Sequence, residues 1–319
     1  MKACVDLGGT KIAVSLVDAG PEMSLAQALS ALQSRRSEPT EKAGPPGTLA
    51  RQVLRMLGQA CEAAGIREQD IEAVGVSSCG PFVMVDGMLE ISNPNICGGM
   101  AGPARGLPND WVSVPLEGPL RQRFANVRVE NDGVGALQAE RRWGALQGVK
   151  SCAYVTWSTG IGFGLCVDGN ILRGKHGNAG HAGHSFVSDN DDALCGCGNV
   201  GDLESLVAGN AIERRFAAQG YAGATALFTA ARAGDAAALA IVDELCRVMG
   251  RALYNLVTTL DLQRFSIGGG VFWNNRDFLL PRLQAQLLGK FPALTKGVEV
   301  VAAGLGEKVG DFGALALVS

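Results

Sequence analysis

The sequence predicts an α/β fold in two domains, and three observations carry that expectation. Short apolar runs of strand length alternate with longer stretches of helical periodicity. A strand, glycine turn, strand pattern occurs twice, at residues 3–17 and 152–167, and each time opens a series of alternating strands and helices. The chain has 319 residues, and domains run to roughly 100–200 residues each.

Lys2 to Val17 reads as two strands, ACV and IAVSLV, around the turn DLGGTK. Paired glycines there supply conformations closed to residues with a Cβ. Residues 20–43 are mixed and polar, and read as a strand remnant and a loop. Gly47 to Ala64 has helical spacing, with Leu49, Val53, Met56, Leu57, Ala60 and Ala64 near one face. The strand IEAVGVS (71–77) runs into the turn Gly80–Pro81. Residues 83–89 suggest a small hairpin and 92–110 a loop. VRVEND then reads as a strand ending in polar residues, followed by a helix over 133–143. Residues 151–169 repeat the opening pattern around STGIG, and 174–202 form the densest polar, glycine-rich segment. Helices are expected at 203–219, 225–233, 235–260, 277–288 and 310–318, with strands at 264–267 and 298–302. The domain boundary is expected between residues 112 and 128. This gives a first domain of residues 1–120, with 304–319 packing back on it, and a second of 121–303.

Composition excludes several classes. Hydrophobic residues make up 47% and charged ones 18%, with a formal net charge of −3. This is neither a disordered chain nor a polycationic binder of nucleic acid. No apolar run is long and uninterrupted enough to predict a membrane span. Lys2 is followed by Asp6 inside the apolar run, so no signal peptide is expected. Nine scattered cysteines, an odd number, argue against a disulfide framework, and the expected location is the cytoplasm.

Three glycine-rich turns follow apolar strands. DLGGTK (6–11) and STGIG (158–162) can converge backbone N–H groups on an anion, with Gly8, Gly9, Thr10, Thr159 and Gly160 as contacts. Lys11 either adds positive charge or is a surface residue, and Asp6 can hold a magnesium ion. Gly268–Gly269–Gly270 lets a nucleotide base and ribose approach closely. None of the three turns fits GxxxxGK[ST] or GxGxxG, and each turn alone is equally an ordinary hairpin turn. Glu130–Asn131–Asp132 sits at a strand end before a helix, where α/β proteins place ligands. Asp132 is the candidate base for a hydroxyl and Asn131 a hydroxyl partner, although an Asp there can simply cap the helix.

All three histidines fall in KHGNAGHAGH (175–184), and CGCGNVGD follows at 195–202. His184, Cys195 and Cys197 suit zinc, with Asp202 or Asp189 as a fourth ligand, or water in that place. The alternative is a loop that keeps two thiols without metal. Glu204, which opens a helix, is either a first-turn carboxylate or a sugar-hydroxyl acceptor.

Together these segments resemble the ROK family of sugar kinases and repressors. The hallmarks DxGGTK, a catalytic Asn-Asp pair, GTGxG, GExGH and CxCGxxGCxE stand here as DLGGTK (6–11), END (130–132), STGIG (158–162), GHAGH (180–184) and CGCGNVGDLE (195–204). The resemblance covers nearly the whole chain. It implies an actin-like (ribonuclease H-like) two-domain kinase fold, with ATP and Mg2+ in an interdomain cleft and a homodimer as the assembly. It implies Asp132 as base, Gly80, Asn95, Asn131, His181, His184 and Glu204 as hexose contacts, and His184, Cys195 and Cys197 as zinc ligands. Two residues depart from the pattern. His181 stands where the family's glutamate contacts the sugar, and Asp202 stands where its third zinc cysteine lies. A glucokinase or hexokinase is the leading expectation, and a hexosamine or acylhexosamine kinase is the alternative left open by His181. A sugar-responsive repressor is a third class. The chain begins on the first kinase strand, so no DNA-binding domain is expected ahead of it.

Overall fold

The computed structural model describes residues 1–18, 23–101, 106–189 and 193–319. The parts of the expected loops at 19–22, 102–105 and 190–192 lie outside the described residues. The chain packs into two compact units: residues 1–143 with 173–179 and 308–319, and residues 144–172 with 180–307.

The first unit contains β1 (Lys2–Leu7), β2 (Lys11–Val17), α1 (Leu25–Ala31), β3 (Leu32–Pro39), α2 (Thr48–Ala64), β4 (Ala73–Ser78), β5 (Phe82–Val85), β6 (Met88–Ile91), α3 (Gly98–Ala101), β7 (Val114–Pro115), α4 (Glu117–Arg121), β8 (Val127–Asn131) and α5 (Asp132–Trp143). Its main sheet has the order β3-β2-β1-β4-β8, and β5-β6-β7 form a small second sheet. β1 pairs antiparallel with β2 but parallel with β4, which pairs parallel with β8. The central strands are buried on both faces and read as continuous apolar runs, while the edge strand β3 alternates between half-buried and exposed residues. Leu49, Val53, Met56, Leu57 and Ala60 of α2 reach the core, and Gly65 ends that helix in the left-handed region at φ 67°.

The second unit contains β9 (Cys152–Trp157), β10 (Ile161–Val167), β11 (Asn170–Ile171), α6 (Leu203–Val207), α7 (Gly209–Phe216), α8 (Ala224–Arg232), α9 (Ala236–Leu260), β12 (Arg264–Gly268), α10 (Gly270–Trp273), α11 (Arg276–Leu287), α12 (Pro292–Thr295) and β13 (Glu299–Ala302). Its sheet order, β11-β10-β9-β12-β13, repeats that of the first unit: an antiparallel hairpin pair, then parallel strands. The two glycine-turn hairpins found in the sequence therefore open two sheets of like topology. The last helix, α13 (Val309–Ala316), belongs to the first unit and packs against α5, β1 and β4.

Two expectations need correction. Residues 121–143, assigned to the second domain, pack in the first, because β8 completes its sheet beside β4. Residues 25–39 are a helix and a full strand rather than a strand remnant and loop. Ser24 and Gln27 form a capping box that starts α1, and that polar signal sat inside a segment without apolar periodicity. Among the described residues, no single helix is long and apolar enough to cross a membrane.

Candidate functional site

In the first unit, strand register brings the candidate groups into one row. Asp6 lies beside Ser77, and Ser77 beside Glu130; one step on, Leu7, Ser78 and Asn131 are neighbours. The DLGGTK turn, Cys79 and Asp132 thus leave the sheet side by side at the C-terminal ends of three parallel strands, where open α/β sheets bind ligands. Desolvation, then the charges of Asp132 and Asp6, raise the Cys79 thiol well above its usual range, so one sulfur feels both carboxylates. The turn itself is fixed by backbone. Gly8 N–H donates to the Lys11 carbonyl at 2.9 Å, and the Thr40 hydroxyl donates to the Gly8 carbonyl at 2.7 Å. Thr10 and Lys11 are exposed. A Cβ on Gly9 would lie 2.9 Å from the Cβ of Asn95, so the glycine lets Asn95 close on the turn. Asn93 is buried; its Nδ2 donates to the Gly80 carbonyl and its Oδ1 accepts from Asn95 N–H at 2.7 Å.

Asn131 and Asp132 share one backbone donor. Asn131 Oδ1 accepts from Gly133 N–H at 3.0 Å, one residue inside α5, which is the capping contact. Asp132 Oδ1 accepts from the same N–H at 2.9 Å. The capping contact considered for Asp132 is therefore shared with its neighbour. Asp132 is open to solvent, yet desolvation by surrounding protein raises its pKa from 3.8 to about 6. Access and desolvation coexist in a carboxylate with water on one side only, the usual setting of a general base.

In the second unit, the turns after β9 and β12 meet. Gly268 is in register with Thr156, and a Cβ on Gly269 would fall 2.6 Å from backbone atoms of Trp157. Gly269 has φ 86°, and nothing lies within 4 Å of where a Gly270 Cβ would stand. The carbonyls of Ser158 and Thr159 accept from the Gly209 and Asn210 amides at 2.8 and 3.2 Å, so the turn rests on the start of α7. Glu204 Oε2 accepts from Ile161 N–H at 2.9 Å. A Gly160 Cβ would approach that oxygen to 2.7 Å, so Gly160 gives Glu204 its place.

His184, Cys195, Cys197 and Asp202 come together with all ligand atoms within 4.8 Å of one another. His184 Nδ1 is 3.2 Å from Asp202 Oδ2 and 3.6 Å from Cys195 Sγ, and Cys197 Sγ is 3.6 Å from Asp202 Oδ2. A tetrahedral zinc ion with bonds of about 2.0–2.3 Å holds its ligand atoms about 3.2–3.8 Å apart; these three spacings match that, and the nitrogen, sulfur and oxygen donors are of the types zinc takes. Asp202 serves two ends. Its Oδ1 accepts from Ser205 N–H at 2.7 Å and caps α6, while Oδ2 faces the cluster. Burial alone would raise the Asp202 carboxyl, but hydrogen bonds from His184 and Ser205 outweigh it and hold the pKa at about 2. Asp189 is not part of the group among the described residues.

The expected site residues therefore form two sets. Asp6, Gly8, Gly9, Thr10, Lys11, Gly80, Asn95, Asn131 and Asp132 lie in the first unit. Thr159, Gly160, His181, His184, Cys195, Cys197, Asp202, Glu204 and Gly268–Gly270 lie in the second. Sequence reasoning missed Cys79 and Asn93. The NPN run at 93–95 was a signal for Asn93; a cysteine in a short run carried none.

The model of the ROK family matches residues 2–319. A glucokinase of Aeropyrum pernix is 30% identical, with 98% of this chain and 95% of that protein covered. An N-acetylmannosamine kinase of Escherichia coli O9:H4 is 32% identical over 84% of this chain and 82% of that protein. The crystal structure of a ROK family glucokinase from Streptomyces griseus in complex with glucose and AMPPNP superposes with a TM-score of 0.70 at 29% identity, covering 98% of this chain and 97% of that one.

Proposed function

The chain belongs to the ROK family of sugar kinases and repressors, and from that premise we propose that it phosphorylates a hexose at the 6-hydroxyl, with Asp132 as base. Its class is that of an ATP-dependent sugar kinase. The observation that carries the finer reading is Asp132: accessible, at a strand end beside the DLGGTK turn, sharing the Gly133 N–H with Asn131, and raised to a pKa of about 6. The likeness of the two sheets supports the actin-like architecture expected of the family.

The Asp132 carboxylate accepts the proton of the sugar hydroxyl as that oxygen bonds to the γ-phosphorus, and the bond from phosphorus to the ADP oxygen breaks. The transferred group passes through a loose transition state, so placement of the hydroxyl matters as much as proton removal. Asn131 spends its Oδ1 on Gly133 and offers Nδ2 as a donor to a sugar oxygen. Thr10 and Lys11 in the first unit, and Thr159 and Gly160 in the second, are each candidate contacts for phosphate oxygens, and Gly268–Gly270 would leave room for base and ribose. Asp6 suits magnesium as a hard oxygen donor beside the exposed Thr10 and Lys11, and the ion would neutralise phosphate charge. Zinc held by His184, Cys195, Cys197 and Asp202 would brace the loop that presents His181, His184 and Glu204.

A second reading, phosphorylation of a hexosamine or N-acylhexosamine, is favoured by His181. Its ring stacks on His184 with centroids 6.3 Å apart, and it offers one donor and one acceptor where the family has a carboxylate. The relative acting on N-acetylmannosamine fits this reading. A coupled nucleotide-turnover screen over glucose, mannose, fructose, glucosamine and the N-acetylhexosamines separates the two. With the best sugar, Asp132→Asn should lower kcat by about 10²–10⁴-fold, the usual share of a general base, and leave ATP binding intact. Full turnover in folded Asp132→Asn protein would remove Asp132 from the mechanism.

A further inference from the structure

We propose that Arg173 and Asn178 are positioning residues for the sugar: they form a brace that sets the two first-unit segments carrying Asp132 and Gly80. The proposal rests on the kinase reading above and assigns roles to residues outside its contact set.

Residues 173–179 pack in the first unit although the chain on either side of them, to Leu172 and from Gly180, belongs to the second. The segment closes on itself, because Ala179 N–H donates to the Arg173 carbonyl at 2.9 Å. Gly174 and Gly177, at φ 70° and 75°, supply its turns. From this closed loop two grips extend. Arg173 Nε donates to Glu130 Oε1 at 2.6 Å. The Glu130 carboxylate is 6% exposed, and its other partner, Arg128, stands off at 3.3 Å. Asn178 takes both backbone groups of Phe82: Oδ1 accepts from Phe82 N–H and Nδ2 donates to the Phe82 carbonyl, each at 2.7 Å. β5 is the edge of its sheet, so the Asn178 amide acts as a one-residue strand partner there. Gly177 lies against the Phe82 ring, 3.6 Å from where its Cβ would be.

Both grips fall two residues from a proposed sugar contact. Glu130 precedes Asp132 by two positions on β8, and Phe82 follows Gly80 by two at the start of β5. The loop therefore reaches neither contact itself but fixes the backbone beside each. Because one closed loop makes both grips, releasing either should loosen both segments. A displacement of about 1 Å at a reacting group can cost up to about 10²-fold in rate.

The test uses Arg173→Gln, Arg173→Lys, Asn178→Ala and the Arg173→Gln/Asn178→Ala double variant of the full chain. Steady-state kinetics are measured with the sugar that the wild type phosphorylates best, alongside hydrogen exchange of peptides spanning 82–91 and 127–133. Each of the glutamine and alanine variants should lose about tenfold or more in kcat/KM for the sugar, with the ATP KM within about twofold of wild type. The lysine should recover most of the loss, and the double variant should be no worse than the weaker single. Exchange should quicken in both peptides for either single variant. Exchange that quickens only at the gripped segment would show two unrelated contacts and overturn the brace. Exchange that spreads while the sugar kcat/KM stays at wild type would overturn the positioning role. A wild type that phosphorylates no sugar would remove the kinase reading instead, and the exchange result would still decide the brace.

Discussion

At the scale of single residues, charge and water decide most of the chemistry. Asp132 and Asn131 are adjacent polar residues at one helix start and share one backbone donor, yet only Asp132 is both exposed and raised in pKa. The raised pKa of Asp132 has two consequences, and their signs follow from proton binding. The base works only when ionised, so kcat/KM for the sugar should rise with pH along a limb of apparent pKa near 6. In the pH window from 3.8 to about 6 the folded state binds this proton more tightly than the unfolded chain does, so stability falls as pH rises through it. A neutral Asn avoids that loss. Asp132→Asn should therefore carry the loss of kcat predicted above and be no less heat-stable than wild type at pH 8, in a thermal melt. An activity limb that stays near pH 4 would show a carboxylate of ordinary pKa and count against the desolvated base.

Elements show how one side chain can serve two masters. Asp202 caps α6 with one oxygen and faces His184 and Cys197 with the other. The two duties can be separated. Asp202→Asn keeps a good N-cap and surrenders the carboxylate, so metal content should drop while α6 holds. Asp202→Cys supplies a thiolate and loses the cap, so zinc should bind at least as tightly while stability of the metal-free protein falls by about 1 kcal/mol. Elemental analysis of protein purified without added metal, paired with thermal melts, reads both effects, and one zinc per chain is expected in the wild type. A wild type without zinc that phosphorylates sugar at full rate would make the cluster a plain hydrogen-bonded loop. The same economy appears in Glu204, which opens α6 and steadies the STGIG turn through Ile161.

At the scale of the whole molecule, the first unit is not an N-terminal fragment. It takes α13 from the far end of the chain, and close packing needs glycines on each partner. A Cβ on Gly75 would meet the Ala314 carbonyl oxygen at 2.5 Å, and Gly135 lies against Gly313. Phe312, Leu315 and Leu317 are buried there. Each large apolar side chain buried contributes about 1.5–3 kcal/mol, so the three together rival the roughly 5–15 kcal/mol that holds a domain folded. A chain ending at Glu307 should lose cooperative unfolding in a circular-dichroism melt, at least for the first unit. A sharp transition near that of the full chain would show that α13 only decorates the sheet.

What the sequence determined by itself is local. Strand-and-turn chemistry placed both glycine hairpins, the long helix over 236–260 and the clustered histidines and cysteines, because periodicity and backbone freedom are written in neighbouring residues. The family motifs likewise pointed to Asp132 and to His184, Cys195 and Cys197, which come together with Asp202 in one cluster. Tertiary structure decided what depends on distant residues meeting. Register across β1, β4 and β8 set Asp6, Cys79 and Asp132 in one row, and it drew β8 into the first unit against expectation. Packing chose Asp202 over Asp189 and gave Asn131 a share in the cap beside Asp132. It also joined Arg173 to Glu130 across 43 positions of chain. No pattern in either segment announces that pair, because a buried charge acquires its partner only when the surrounding core excludes water.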